Sequence, residues 1–143
     1  MKCSDLVFYV KSARQELDIK FYMDGVLVGQ CLPDDNWQEV KIQLPQQDGN
    51  HCFEVEMQGK TPQHTKIDAD GNILEDLLIE FKDWRFDDIE LGHAASELIV
   101  YEHDHNGTSD VVQQRFFGQM GCNGKIKLQF ESPVFNWLLL HLL

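Results

Sequence analysis

Cationic residues are scarce in this 143-residue chain: 12 Lys and Arg stand against 24 Asp and Glu, for a formal charge of −12 at pH 7. A surface with that balance repels phosphate backbones, which excludes nucleic acid as a partner class. Long apolar runs are missing as well. No segment approaches the roughly 18 apolar residues of a membrane-spanning helix. Met1-Lys2-Cys3-Ser4-Asp5 opens without the apolar stretch of a secretory signal, so none is expected. Cysteine is sparse and scattered. Cys3, Cys31, Cys52 and Cys122 form no C-x-x-C pair, which points to reduced core residues rather than to disulfides or a zinc site. The motifs of catalysis are missing too: there is no G-x-S-x-G, P-loop or H-E-x-x-H. The acid pair Asp87-Asp88 is no substitute, because adjacent strand residues point to opposite faces. We therefore expect a protein that is not an enzyme.

What is present is the pattern of an all-β protein. Hydrophobic residues make up 43% of the chain, enough for one domain over residues 1–143 with a real core. Leu17, Ile19, Phe21 and Met23 alternate with Asp18, Lys20 and Tyr22, the period of a half-buried strand. Asp24-Gly25 follows, and Val26-Leu27-Val28 resumes the apolar run, so a two-residue hairpin is predicted. That register sets Met23 opposite Val26 and Phe21 opposite Val28. Val40, Ile42 and Leu44 alternate behind Trp37; Phe53, Val55 and Met57 repeat the pattern, as do Ile126, Leu128 and Phe130. Leu6–Lys11, Ile73–Phe81, Arg85–Leu91, Glu97–Glu102 and Arg115–Phe117 complete about ten short strands. Such spacing predicts a jelly-roll-like β-sandwich of mostly antiparallel strands.

The C-terminus changes character. Ser132 suits a helix cap and Pro133 the first helical position, so a short helix is predicted over residues 132–143. Phe135, Trp137, Leu138, Leu139, Leu140 and Leu142 make it apolar nearly all round. It must pack on its own sheet or on a partner chain, and these six residues are the candidate interface.

Two polar loops carry oxygen ligands at alternating positions. Asp68, Asp70 and Asn72 surround Gly71, and Asp104, Asn106 and Asp110 surround Gly107. Calcium takes six to eight such oxygens, although both loops also read as plain Asx and Gly turns. No cofactor other than calcium is suggested. For glycan binding, which combines aromatic faces with polar side chains, the candidates are Trp37 and Tyr22, the latter out of phase with the core set.

Two resemblances follow from these residues. The run from Leu17 to Val26, the Trp37-led strand, and Asn50-His51-Cys52-Phe53-Glu54-Val55 together resemble calcium-dependent carbohydrate-binding β-sandwich modules, which implies a surface glycan as ligand. The second half, with DADGNILEDLLIEF, YEHDHNGT, GCNGKIKLQF and SPVFNWLLLHL, resembles accessory structural proteins of large tailed bacteriophages. The leading expectation is therefore a non-enzymatic virion structural protein, a capsid-decoration, tail or baseplate component residing in the virion. Other virion proteins would be its partners, in a multi-copy assembly. The alternative is a calcium-dependent carbohydrate-binding module.

Overall fold

The computed structural model describes residues 3–142; Met1, Lys2 and Leu143, the last residue of the expected helix, lie outside the described residues. In chain order the elements are β1 (Asp5–Ser12), β2 (Asp18–Met23), β3 (Val26–Cys31), β4 (Gln38–Gln43), β5 (Gly49–Gln58), β6 (Thr65–Ile67), β7 (Ile73–Asp76), β8 (Ile79–Phe86) and β9 (Ile89–Glu90). A one-turn α1 (Ala95–Leu98) then leads into β10 (Ile99–His103), β11 (Val112–Arg115), β12 (Gln119–Met120), β13 (Gly124–Ser132) and α2 (Val134–Leu142). One sheet has the order β12-β8-β1-β4, with β9 beside β8; the other runs β11-β10-β13-β5-β2-β3. The hairpin β6–β7 stands apart. Every pairing is antiparallel. The result is the expected antiparallel β-sandwich with a C-terminal helix.

The side-chain period of two builds the core. In β2 and β5 alternate residues are buried, so Ile19, Phe21, Met23, Phe53, Val55 and Met57 line one inner face. Leu6, Phe8 and Val10 of β1 face them from the other sheet. Phe8 is fully buried, with ring centroids 4.2 Å from Trp84 in a stacked pair, 6.1 Å from Phe81, and 5.8 Å from both Phe21 and Phe53. It touches aromatics of both sheets. Trp84 reaches this position through a bulge. The β1–β8 register slips between Val7 and Tyr9, and Asp83 sits at φ 57°, the left-handed region where Asp is among the better-tolerated side chains. The inward phase of β8 thereby moves from Ile79 and Phe81 to Trp84 and Phe86.

Several expectations need correction. The Asp24-Gly25 turn forms as predicted, both residues at positive φ, and Met23 pairs with Val26. Phe21, however, pairs with Gly29, because Val28 is an extra residue in β3. The apolar set of β3 is not inside either: Val26, Leu27 and Val28 are exposed on this end strand of the sheet. The run Ile73–Phe81 is two strands rather than one, with Leu77-Leu78 between β7 and β8. Pro133 precedes α2 instead of opening it, and its carbonyl accepts from Trp137 N at 3.3 Å. Of the candidate interface, Trp137 and Leu138 are buried in the chain's own core, and Phe135 and Leu142 pack against it. Only Leu139 and Leu140 remain exposed, so the helix caps its own sandwich. Among the cysteines, all free, only Cys3 is buried; the other three are half-exposed.

Lys60 is the one buried Lys or Arg among the described residues. Its Nζ donates to the Leu77 carbonyl and, at 2.5 Å, to Asp76 Oδ1, which also accepts from Thr65 Oγ1 at 2.7 Å. These bonds pin the β6–β7 hairpin to the body of the sandwich.

Because Phe8 meets both sheets, Phe8→Ala is expected to destabilise by about 3–5 kcal/mol, the range for removing a fully buried Phe. Urea unfolding monitored by tryptophan fluorescence measures this. A loss below about 1 kcal/mol, typical of surface changes, would contradict its place as the inter-sheet contact.

Candidate functional site

At the end of the sandwich where the β2–β3 turn meets the start of β5 lies a cleft of about 620 Å³. Asp24 borders it from the turn, Asn50, His51 and Cys52 from β5, and Gln129, Phe130 and Glu131 from β13. Glu97 and Leu98 of α1 and Trp137 and His141 of α2 complete the wall. The volume falls in the range of small-ligand sites, about 300–1,000 Å³. The apolar part of the wall continues the core. Trp137 packs edge-on against Phe86 and Phe130, centroids 6.0 and 6.4 Å away, and His141 lies 4.6 Å from its ring. The rim is polar, with Asn50, Gln129, Glu131 and His141 exposed.

His51 is the organising residue of the cleft. It shares the buried phase of β5 with Phe53, Val55 and Met57, and its ring centroid is 5.6 Å from that of Phe130. Nδ1 lies 2.7 Å from Asp24 Oδ2, and Nε2 lies 2.7 Å from the Gln47 carbonyl oxygen. A carboxylate and a carbonyl can only accept, so both contacts are satisfied together when both ring nitrogens carry protons. Burial alone would push the His51 imidazole down; the bonds to Gln47 and Asp24 outweigh it and hold the pKa above the usual histidine value. Asp24 is shifted the other way. Desolvation would raise it, but bonds from Cys52 N (2.9 Å) and His51 hold its carboxyl below the usual range. The pair ties the hairpin turn, the 44–48 loop and β5 into one rigid wall.

The titratable groups of the cleft are held by their own neighbours. Both Asp24 oxygens are already engaged. Burial and the nearby Glu54 push the Cys52 thiol up, the opposite of an activated nucleophile. The two remaining carboxylates, Glu97 and Glu131, are exposed at the rim.

The residues singled out in the sequence lie elsewhere. Tyr22 is on the outward face of the six-stranded sheet, opposite Leu27 and Glu54. Trp37 borders the outward face of the other sheet, with Lys82 Nζ 4.2 Å and Lys11 Nζ 5.0 Å from its ring centre. The two aromatics lie on opposite faces of the sandwich, and Trp37, 37% exposed, has two ammonium groups near its ring. In the first acidic loop, Asp68 Oδ1 accepts from Asp70 N and Asn72 N, both at 2.9 Å, and Oδ2 accepts from Asn72 Nδ2 at 3.2 Å. In the second, Asp104 Oδ1 accepts from Gly107 N at 2.8 Å and Asn106 Oδ1 from Asn123 N at 2.8 Å. The Asp68 and Asp104 oxygens close their own turns, and Asn106 ties its loop to the backbone of Asn123. Asp70 and Asp110 are exposed beside them. Among the described residues no group of three or more His, Cys, Asp or Glu side chains is gathered to hold a metal ion.

Sequence reasoning missed His51, Asp24, Gln129 and Glu131. One signal was available for His51: it occupies a core-phase position of β5, where an ionisable group requires partners.

No protein-family model matches the chain, and no curated relative matches its sequence. Among solved structures, it is similar to vCBM60, a carbohydrate-binding module in complex with galactobiose. The TM-score is 0.50 at 10% identity, covering 87% of this chain and 96% of that one. At that identity the likeness concerns the β-sandwich fold. The virion role expected from the second half of the chain has no counterpart in these comparisons.

The His51–Asp24 pair gives a signed pH dependence. A histidine whose pKa is raised on folding contributes stability that is fully present below its unfolded value, about 6.5, and is lost as pH rises through the folded value. The lowered Asp24 contributes above its unfolded value and loses that contribution as pH falls through the folded one. Urea unfolding of wild type and His51→Gln is therefore expected to differ most at about pH 5.5, with the gap shrinking at alkaline pH. A gap independent of pH would show that His51 is not held as an imidazolium.

Proposed function

We propose that this protein is a non-catalytic carbohydrate-binding module that takes a short glycan into the His51 cleft. The observation that carries the reading is the cleft itself. Its floor is closed by the core rings of Trp137 and Phe130, and its rim carries Asn50, Gln129, Glu131 and His141, side chains that exchange hydrogen bonds with hydroxyl groups. Sugar rings present alternate apolar C–H faces and hydroxyl edges, and a site of this mixed kind matches both. The sandwich resembles that of a module solved with galactobiose, which supports the class of ligand. The salt-bridged His51 and Asp24 preorganise the wall, so little ordering cost is left to binding.

Direct contact with side chains is taken to carry this recognition, because Asp68 Oδ1 and Asp104 Oδ1 already accept from backbone N–H groups of their own turns and Asp68 Oδ2 from Asn72 Nδ2. Binding is thus expected to survive chelation of calcium.

Titration calorimetry with galactobiose and related short oligosaccharides, with and without a chelator, tests the proposal. Gln129→Ala and Glu131→Ala each remove an exposed polar side chain, and each is expected to weaken binding about fivefold, the equivalent of one net hydrogen bond of about 1 kcal/mol. Trp37→Ala, on the other sheet's outward face, should leave affinity unchanged. No binding across a glycan array, or affinity lost in Trp37→Ala and kept in the cleft variants, would overturn it.

A further inference from the structure

The open side of the sandwich carries a second surface, independent of the cleft's ligand. β3 ends the six-stranded sheet and β4 ends the other sheet, and the two strands are consecutive in the chain, so both unpaired edges lie along the same side. A groove of about 700 Å³ runs between them, lined by Met23, Val26, Val28, Ile42, Leu44 and Pro45 together with Asp24, Lys41 and Gln43. Three successive apolar side chains of the edge strand β3 are solvent-accessible, with Val26 64%, Leu27 52% and Val28 47% exposed. Edge strands are blunted by Lys, Pro, inward charges or bulges, and of these β3 has only the Val28 bulge. The residues of β3, VLVGQC, include no charged residue and no proline.

Charge decides what can cover this strip. The chain carries −12, so most faces of two copies would repel each other. β3 is an exception because it has no charge to oppose. β4 is the other: in QEVKIQ, Glu39 and Lys41 are equidistant from Val40. An antiparallel pairing of two β4 edges centred on Val40 therefore sets Glu39 of each copy opposite Lys41 of the other, which is favourable across strands. A two-fold axis along the sheet-to-sheet direction, passing through the open side, runs β3 against β3 and β4 against β4 in the antiparallel sense. It also closes the groove from both copies. Such an isologous contact closes on itself and does not propagate.

We propose that a second copy of this chain docks across the β3–β4 side, giving a homodimer in which both sheets continue from one protomer into its partner. Sedimentation velocity over low-micromolar to hundreds-of-micromolar concentrations is the test. The expected result is a reversible shift from the 16.6 kDa chain mass to twice that value. The double variant Leu27→Lys, Val28→Lys, at two exposed positions, should keep the wild-type near-ultraviolet dichroism and sediment as a single chain throughout. Hydrogen exchange provides an arm that needs no variant: amides of Val26–Cys31 should exchange faster on dilution. A wild-type chain that stays monomeric, a double variant that still dimerises, or β3 exchange unaffected by dilution each overturns the proposal. The first would leave the strip to a different protein.

Discussion

The stacking of Phe8 on Trp84 is the contact on which the rest of this structure depends. Phe8 reaches Phe21 and Phe53 of the facing sheet while Trp84 covers it from its own. That arrangement requires Trp84 to point inward, which in turn requires the Asp83 bulge to shift the phase of β8. Without the shift, the alternation set by Ile79 and Phe81 would turn Trp84 and Phe86 toward solvent. Phe86 continues the aromatic chain through Phe130 to Trp137. Through Phe130 it also meets the ring of His51. The inter-sheet core and the cleft wall are thus one packed body.

His51 shows how a polar group is accommodated at the edge of such a core. A buried imidazole is costly unless both nitrogens are bonded, and here the Asp24 turn and the Gln47 carbonyl supply both partners. The same bonds fix the hairpin turn that begins β3. Cleft and edge strand therefore share a hinge point at Asp24, one on each side of the turn. The buried Lys60 plays the corresponding part at the β6–β7 hairpin, where Asp76 and the Leu77 carbonyl receive its protons.

Much of the architecture was legible because strand alternation encodes it directly. β2, β5 and β13 lie where their period of two places them, and the Asp24-Gly25 hairpin follows from its turn chemistry. What could not be read were the two bulges. An extra residue at Val28 or Asp83 moves every later side chain of its strand to the other face, so the pairing of Phe21 with Gly29 and the inward turn of Trp84 had no local signature. The apolar helix was legible as an element, but its partner was not: Trp137 and Leu138 find the chain's own core rather than a neighbour. The site was least legible. Acidic loops attract attention by residue type, yet Asp68 and Asp104 are spent on turns. The cleft is assembled from residues about 30 to 110 positions apart, whose proximity only the sheet order creates.

The central claim is that the cleft walled by His51 and Trp137 is where a ligand binds. The most direct measurement is amide chemical-shift mapping by two-dimensional NMR during titration with galactobiose. The account predicts shifts concentrated at Asn50, His51, Gln129, Glu131 and the indole N–H of Trp137. Shifts concentrated instead around Trp37 and Lys82, or at neither place, would contradict it.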